Sequence, residues 1–450
     1  MNQTLLCGAA RVKITPSEAL LPYMFGLMGR QYCKVHDDLY LRVLAVRAGE
    51  KTALIVVYDL DKATNPAEWT KILEAETGVP ADAILYTAIH THTAPLTGYR
   101  PFEGPNFIER KPPEVQEKVR EYEAFLLEKL LEAAHAALDR LTPARMGYAT
   151  GRCDIGMNRC QRYDTRGEDG VLRPELCVGI DPTGIADHTL LAVRVEEAET
   201  GAPIAFLTNY AVHCVAGFLN DCGEGKSYLS ADIAGAVSRA LEEEYPGSVA
   251  LWTSAPAGDI NPVQMVQTFY PDLQTGAPVE RKILGEDAAD AATAAMAGRQ
   301  LAAIRETLGR VRCDITEGPV RAKVDWAVTK CAKGAYTGEK PACTDDYEIR
   351  THLVQIGPLA LIGIDGELYT RHGQAIRAAS PVKDTFVINH DSSLLLNNPG
   401  YVIDDETMAR ILACDGRGSQ RGGIPGGGVY TEPGTVRAAL EESTRRLFRE

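Results

Sequence analysis

The chain has no apolar run long enough to cross a bilayer, and residues 1–15 lack a basic start followed by an apolar stretch. Neither a membrane anchor nor a secretory signal is expected. Positive charge is not in excess: 47 Lys and Arg face 61 Asp and Glu, giving a formal net charge of −14. That balance argues against a nucleic-acid partner and an anionic membrane surface, while leaving room for a basic groove within an acidic whole. The eleven cysteines form no C-x-x-C pair. An odd, scattered set, with Cys7, Cys177 and Cys214 in apolar contexts, reads as reduced thiols in a cytoplasmic protein. Cys153 with Cys160, and Cys331 with Cys343, would pair only in an oxidising compartment. Low-complexity linkers and a readable internal repeat are also lacking.

What the sequence holds is an alternation of strand and helix patterns. Residues 41–47 and 53–57 read as adjacent strands, 65–77 as a helix opened by Asn65-Pro66, and 84–88 as a buried strand. Residues 114–141 form a long amphipathic helix with Val115, Val119, Tyr122, Phe125, Leu126 and Leu130 on one stripe. A second block carries strands at 190–195, 204–210 and 249–254, with helices at 233–245 and 287–308. A third pairs 353–356 with 359–364, followed by a helix near 368–378, a strand at 385–388 and a terminal helix at 435–450. The Gly- and Pro-rich residues 416–434 read as a loop. The fold class is α/β, with mixed sheets flanked by helices. The amphipathic stripes are explained by an internal core, so they imply no particular oligomer.

The most informative segment is Ala88-Ile89-His90-Thr91-His92-Thr93-Ala94-Pro95. It follows the apolar run Ala83-Ile84-Leu85-Tyr86, and on a strand residues i and i+2 share one side. If extended structure persists, both imidazoles enter one site, bound either to a metal or into a polar network. Polar residues recur at the same kind of place. His213 follows strand 204–210, Asp259 and Asn261 follow strand 249–254, and Glu367 follows strand 359–364. In open α/β sheets ligands bind beyond the carboxyl ends of strands. Two imidazoles and one carboxylate are a set that catalytic zinc commonly uses, with a position left open for water. These patterns do not by themselves select His90, His213 and Glu367 over triples drawn from His36, His372 and His390.

In order along the chain, the motifs resemble the catalytic domain of neutral (non-lysosomal) ceramidases. The resemblance is carried by Gly26-Leu27-Met28-Gly29-Arg30, Val35-His36-Asp37-Asp38-Leu39-Tyr40 and His90-Thr91-His92-Thr93-Ala94-Pro95. It continues through Met157-Asn158-Arg159, Asn209-Tyr210-Ala211-Val212-His213, Ser230-Ala231-Asp232-Ile233-Ala234-Gly235 and Ala257-Gly258-Asp259-Ile260-Asn261-Pro262. Gly366-Glu367 and Pro399-Gly400-Tyr401 complete it. The resemblance implies a Zn2+ ion held by His90, His213, Glu367 and Tyr401, with His92 as the neighbour that contacts water or substrate. It further implies that Arg159 orients or stabilises a developing oxyanion.

Three departures shape the expected function. The family's active-site serine falls on Ala255, and Ser254 is one residue out of step, which on a strand turns it to the other face. The chain, read as a single catalytic domain over residues 1–450, leaves no room for the family's C-terminal β-sandwich. It also lacks a secretion signal. The expectation is therefore a zinc-dependent hydrolase that cleaves an amide or ester bond of a small soluble substrate through metal-activated water. His92, Arg159 and Tyr401 are the expected catalytic residues. The alternatives are a metal-dependent lyase or isomerase of a sugar- or polyol-like compound, and a non-catalytic ligand-binding relative.

Overall fold

A computed structural model describes residues 4–26, 29–97, 110–218, 220–265, 267–276, 278–282, 285–330, 346–391, 400–414 and 431–449. Most of the predicted loop 416–434, the Cys331–Cys343 pair and the residues Leu27, Met28 and Pro399 of the family-like motifs lie outside them.

The architecture is α/β with mixed sheets and flanking helices, built from three copies of one topological unit. The first contains β1 (Leu5–Lys13), β2 (Tyr40–Ala48), β3 (Lys51–Tyr58), α1 (Pro66–Thr77) and β4 (Ile84–Ala88), followed by α2 (Pro113–Asp139). The second contains β5 (Thr142–Arg152), β6 (Thr189–Glu197), β7 (Pro203–Tyr210), α3 (Asp232–Glu244) and β8 (Val249–Ser254), followed by α4 (Glu286–Leu308). The third contains β9 (Val320–Lys330), β10 (Asp346–Ile356), β11 (Leu359–Ile364), α5 (Thr370–Ala379) and β12 (Asp384–Ile388). Helices α6 (Asp405–Ala413) and α7 (Thr435–Leu447) come after it. In every unit the first three strands run antiparallel, and a helical crossover returns the fourth strand parallel to the third.

Units one and two join edge to edge, β1 against β5, through the register pairs Leu6–Pro143 and Cys7–Thr142. The result is an eight-stranded sheet in the order β8-β7-β6-β5-β1-β2-β3-β4, with a parallel pair at each edge. The sheet curls, so β8 packs across it against β2, β3 and β4, and Thr91 forms a parallel bridge with Cys214. Unit three, a four-stranded sheet, inserts the end of β12 where the two edges meet. There Asn389 N–H donates to Ser254 O at 2.8 Å, and Thr87 Oγ1 donates to Asn389 O at 2.9 Å. The continuous apolar core lies between α1, α2, α3 and α4 and the curled sheet. A second cluster, including Leu353, Ile362, Ile376, Leu440 and Leu447, sits under α5 and α7.

The residues explain the local choices. Pro66 opens α1, where its missing N–H costs nothing, and Gly78 at φ 69° closes it. The fully buried strands β4, β8 and β11 are near-continuous apolar runs, as parallel strands covered on both faces require. Arg42 on β2 is buried between Asp59 (2.8 Å) and Glu242 of α3 (2.8 Å), which ties unit one to unit two. Among the described residues no helix is long and apolar enough to cross a membrane.

Candidate metal centre

The three units meet at the carboxyl ends of their parallel strands. Asp61, His213 and Glu367 each lie three residues beyond the third strand of their unit, while His90 and His390 lie two residues beyond the fourth. Both of these histidines have left-handed backbone, φ 61° and 59°. That conformation is uncommon for a residue with a Cβ and costs on the order of 1 kcal/mol, a strain that clusters at functional sites.

His90 and His92 do come together, but not by strand alternation. Extended structure stops at Ala88, and the left-handed His90 turns the chain. The pairing of Thr91 with Cys214 then carries His92 back beside it, with His92 N–H donating to Cys214 O at 3.3 Å. The two Nε2 atoms end 3.3 Å apart, with the rings edge to face. His92 also meets the ring of Phe218, with centroids 5.2 Å apart.

His90 Nδ1 faces the backbone oxygen of Asp61 at 2.9 Å and Asp61 Oδ1 at 3.1 Å. That contact makes Nδ1 the donor and leaves Nε2 as a lone-pair donor for a metal. His213 Nδ1 is similarly engaged by Ile260 O at 3.0 Å. The free nitrogens converge on one carboxylate oxygen: His90 Nε2 is 3.4 Å and His213 Nε2 is 3.3 Å from Glu367 Oε2. All three side chains are at least 94 % buried. Neither His213 Nε2 nor Glu367 Oε2 has a well-aligned hydrogen-bond partner among the described residues. Buried polar atoms that meet without satisfying one another are what a cation between them resolves. The donor set therefore fits zinc. His90, His92 and His213 offer ligand atoms within 4.8 Å of one another, as do His90, Glu367 and His390.

Glu367 and Tyr401 are placed side by side by a parallel pairing, Glu367–Tyr401 and Leu368–Val402, in which Glu367 N–H donates to Gly400 O at 2.8 Å. Arg159 lies 5.2 Å from the centre of the Tyr401 ring. Its Nη2 donates to Gly258 O at 2.7 Å and its Nη1 to Asn261 Oδ1 at 3.1 Å. Gly258 is needed as glycine, because a Cβ there would stand 2.6 Å from Glu367 O and 2.7 Å from the Tyr369 ring. Asp259 is a clamp between units, accepting from Thr370 N–H (2.9 Å) and Asn158 Nδ2 (3.0 Å). The strand-end residues Asp259 and Asn261 thus support the site from behind.

Burial alone would lower His90, yet the carboxylates of Glu367 and Asp61 outweigh it and hold the imidazole near about 9. Burial would raise Glu367, but His90 and His213 keep it well below the carboxylate range. Burial and then the Arg159 charge push His213 down to about 4. Burial, followed by the charge on His90, keeps His92 well below the usual histidine value. Without a cation, the site stores one proton on His90 against Glu367.

Several residues fall elsewhere. His36 lies at the surface beside Asp37 and Asp290, stacked on Tyr228. His372 is buried on α5 against Ile403 O. Ser254 is buried, and its hydroxyl donates to Ala255 O at 3.1 Å. The sequence reading passed over Asp61 and Lys62, whose Nζ is 3.9 Å from Glu367 Oε1. It gave His390, which stacks on His90 with ring centres 4.0 Å apart, no role. The shared offset from strand ends is the signal that finds Asp61 and His390, and it requires the unit boundaries.

No family model and no curated protein matches the sequence. The structure matches neutral ceramidase from Pseudomonas aeruginosa with a TM-score of 0.68 at 16% identity, over 100% of this chain and 76% of that one. A ceramidase complexed with C2 matches with a TM-score of 0.68 at 16% identity, over 99% of this chain and 75% of that one. The chain has the neutral-ceramidase fold.

Proposed function

We propose that the protein is a zinc-dependent hydrolase of an amide or ester bond, acting on a small soluble substrate. The observation that carries this reading is the convergence of His90 Nε2 and His213 Nε2 on Glu367 Oε2 within 3.3–3.4 Å, buried, with Tyr401 paired alongside. The proposed ligands are His90, His213, Glu367 and Tyr401. A zinc ion held there supplies Lewis acidity, which acidifies water and polarises a carbonyl.

The side chains provide the rest. His92 is neutral at neutral pH, because burial and the His90 charge disfavour its protonation. It can therefore accept a proton from the attacking water and return it to the leaving nitrogen. Burial, first among its influences, raises the Tyr401 phenol; off the ion it would keep its proton and could donate to the developing oxyanion, and on the ion it would serve as a ligand instead. Arg159, fixed by Gly258 and Asn261, adds positive charge on the same side. Water adds to the carbonyl carbon, the C–N or C–O bond breaks, and acid and amine or alcohol are released. Ser254 takes no part, since its hydroxyl is committed to a backbone carbonyl.

The test is zinc content and turnover in parent, His90→Ala and Glu367→Ala proteins. Near-stoichiometric zinc in the parent, lost with activity in both variants, is the expected result, with label from isotopic water entering the new carboxylate. Full zinc content and turnover in either variant would overturn the ligand assignment. Turnover without label would point to lyase or isomerase chemistry.

A further inference from the structure

One donor outside the proposed ligand set stands at the same spacing as those inside it. His92 Nε2 lies 3.3 Å from His90 Nε2, His90 Nε2 lies 3.4 Å from Glu367 Oε2, and that oxygen lies 3.3 Å from His213 Nε2. His92 and His213 close the circuit, with ligand atoms within 4.8 Å of one another. Ligand distances of about 2.0–2.1 Å give a zinc tetrahedron edges of about 3.3–3.4 Å, and the three separations have that length. A well-formed N–H hydrogen bond between the two imidazoles would be shorter, about 2.7–3.2 Å.

The rings agree with the nitrogens. A ring centre lies roughly 1.1 Å behind its ligating nitrogen, so imidazoles sharing a zinc ion stand roughly 5.2 Å apart, centre to centre. The separations are 4.8 Å for His90–His92, 4.9 Å for His90–His213 and 5.7 Å for His92–His213, with interplanar angles of 87°, 70° and 82°. His390 fails the same comparison, since it lies 4.0 Å from His90 with the planes only 16° apart. Stacked rings point their in-plane lone pairs alongside one another rather than at a common ion. The second unit holds His92 in place, because its N–H donates to the backbone oxygen of Cys214, the residue after His213. Of the four side chains His92 is the most exposed, 14 % against 6 % or less for the others.

We propose that His92 Nε2 is the fourth zinc ligand of the resting centre, on its more exposed side, and that the Tyr401 hydroxyl stands off the ion. This rests on the zinc reading above and departs from it at that one corner. Four protein ligands close a zinc site, whereas catalysis needs an open position. His92 is the corner that opens, since the other three are buried more deeply. Once off the ion it is the base beside the position it has left, and Tyr401 keeps the part of oxyanion donor.

The test uses the full-length protein, labelled at histidine with the heavier stable nitrogen isotope, stripped of metal and loaded with a spin-half cadmium isotope. One-bond coupling to cadmium splits the magnetic resonance signal of each ligating imidazole nitrogen. Three histidines should show the splitting in the parent and in Tyr401→Phe, and two in His92→Ala. Zinc affinity, from competition with a chromophoric chelator, should fall more than about 100-fold in His92→Ala, beyond the roughly 10–100-fold cost of losing a supporting contact, and less than about tenfold in Tyr401→Phe. Two split histidines in a metal-loaded parent overturn the His92 assignment and leave the zinc reading standing. So does a loss of affinity confined to Tyr401→Phe, which would return the phenol to the fourth corner. A parent that takes up neither cadmium nor zinc overturns the zinc reading, and this proposal with it.

Discussion

Asp61→Asn removes one negative charge from behind His90, and the same charge from beside His92 Nε2, 3.8 Å away. The Asp61 backbone oxygen also meets His90 Nδ1, at 2.9 Å, so the ring keeps its tautomer when Oδ1, 3.1 Å away, becomes an amide oxygen. Partners of this kind are worth roughly 10–100-fold in metal affinity. With orientation preserved, the lower figure applies, about tenfold or ~1.4 kcal/mol. Proton competition sets where this can be seen. In the cation-free protein, Glu367 and Asp61 overcome burial and hold His90 near about 9, and zinc must displace that proton. The substitution weakens proton binding as well, so near neutral pH the variant regains part of its loss. Competitive titration against a chromophoric chelator should show zinc bound about tenfold more weakly than in the parent at pH 9, with a smaller gap at pH 7. Equal affinity at pH 9 refutes support of His90 by the carboxylate. A loss as large as that of His90→Ala would make Asp61 itself a ligand.

Arg42→Met leaves Asp59 buried without its ion-pair partner and Glu242 with Arg11 alone, and should lower unfolding free energy by about 3 kcal/mol in urea titration. A change under about 1 kcal/mol would show that the cluster is neutralised in another way. Gly258→Ala forces a Cβ against the Glu367 backbone and the Tyr369 ring; a stability loss of about 1–3 kcal/mol is expected together with weaker zinc binding, and unchanged zinc affinity would contradict this packing. His213, pushed down to about 4 by burial and Arg159, contributes stability that is fully present above its unfolded value of about 6.5. That stability is lost as pH falls through 6.5 towards 4, on the order of 3 kcal/mol in the metal-free protein. The gap in urea stability between parent and His213→Gln should therefore narrow from pH 7.5 to pH 4.5, and a constant gap would exclude His213 as the titrating group.

Strand and helix patterns placed the second, third and fourth strands of every unit, because those runs are apolar enough to declare themselves. The first strand of each unit, β1, β5 and β9, escaped. β5 carries Pro143, Gly147 and Gly151, and β9 mixes Lys and Asp with its apolar residues, so neither shows a plain strand period. With the first strands unseen, the threefold repetition was unreadable, since it lives in topology rather than in side chains. The same gap hid Asp61, whose significance lies in sharing the offset of His213 and Glu367. His90 and His92 were legible as neighbours, but the left-handed turn that joins them has no sequence signature for histidine.

Because His90, His213 and Glu367 come one from each unit, no unit owns a centre of its own. An ion held among them behaves as a keystone: parting any one of the three seams withdraws a donor while most secondary structure stays intact. Zinc release would then mark the first seam to open, and loss of activity on heating would precede loss of the helical signal.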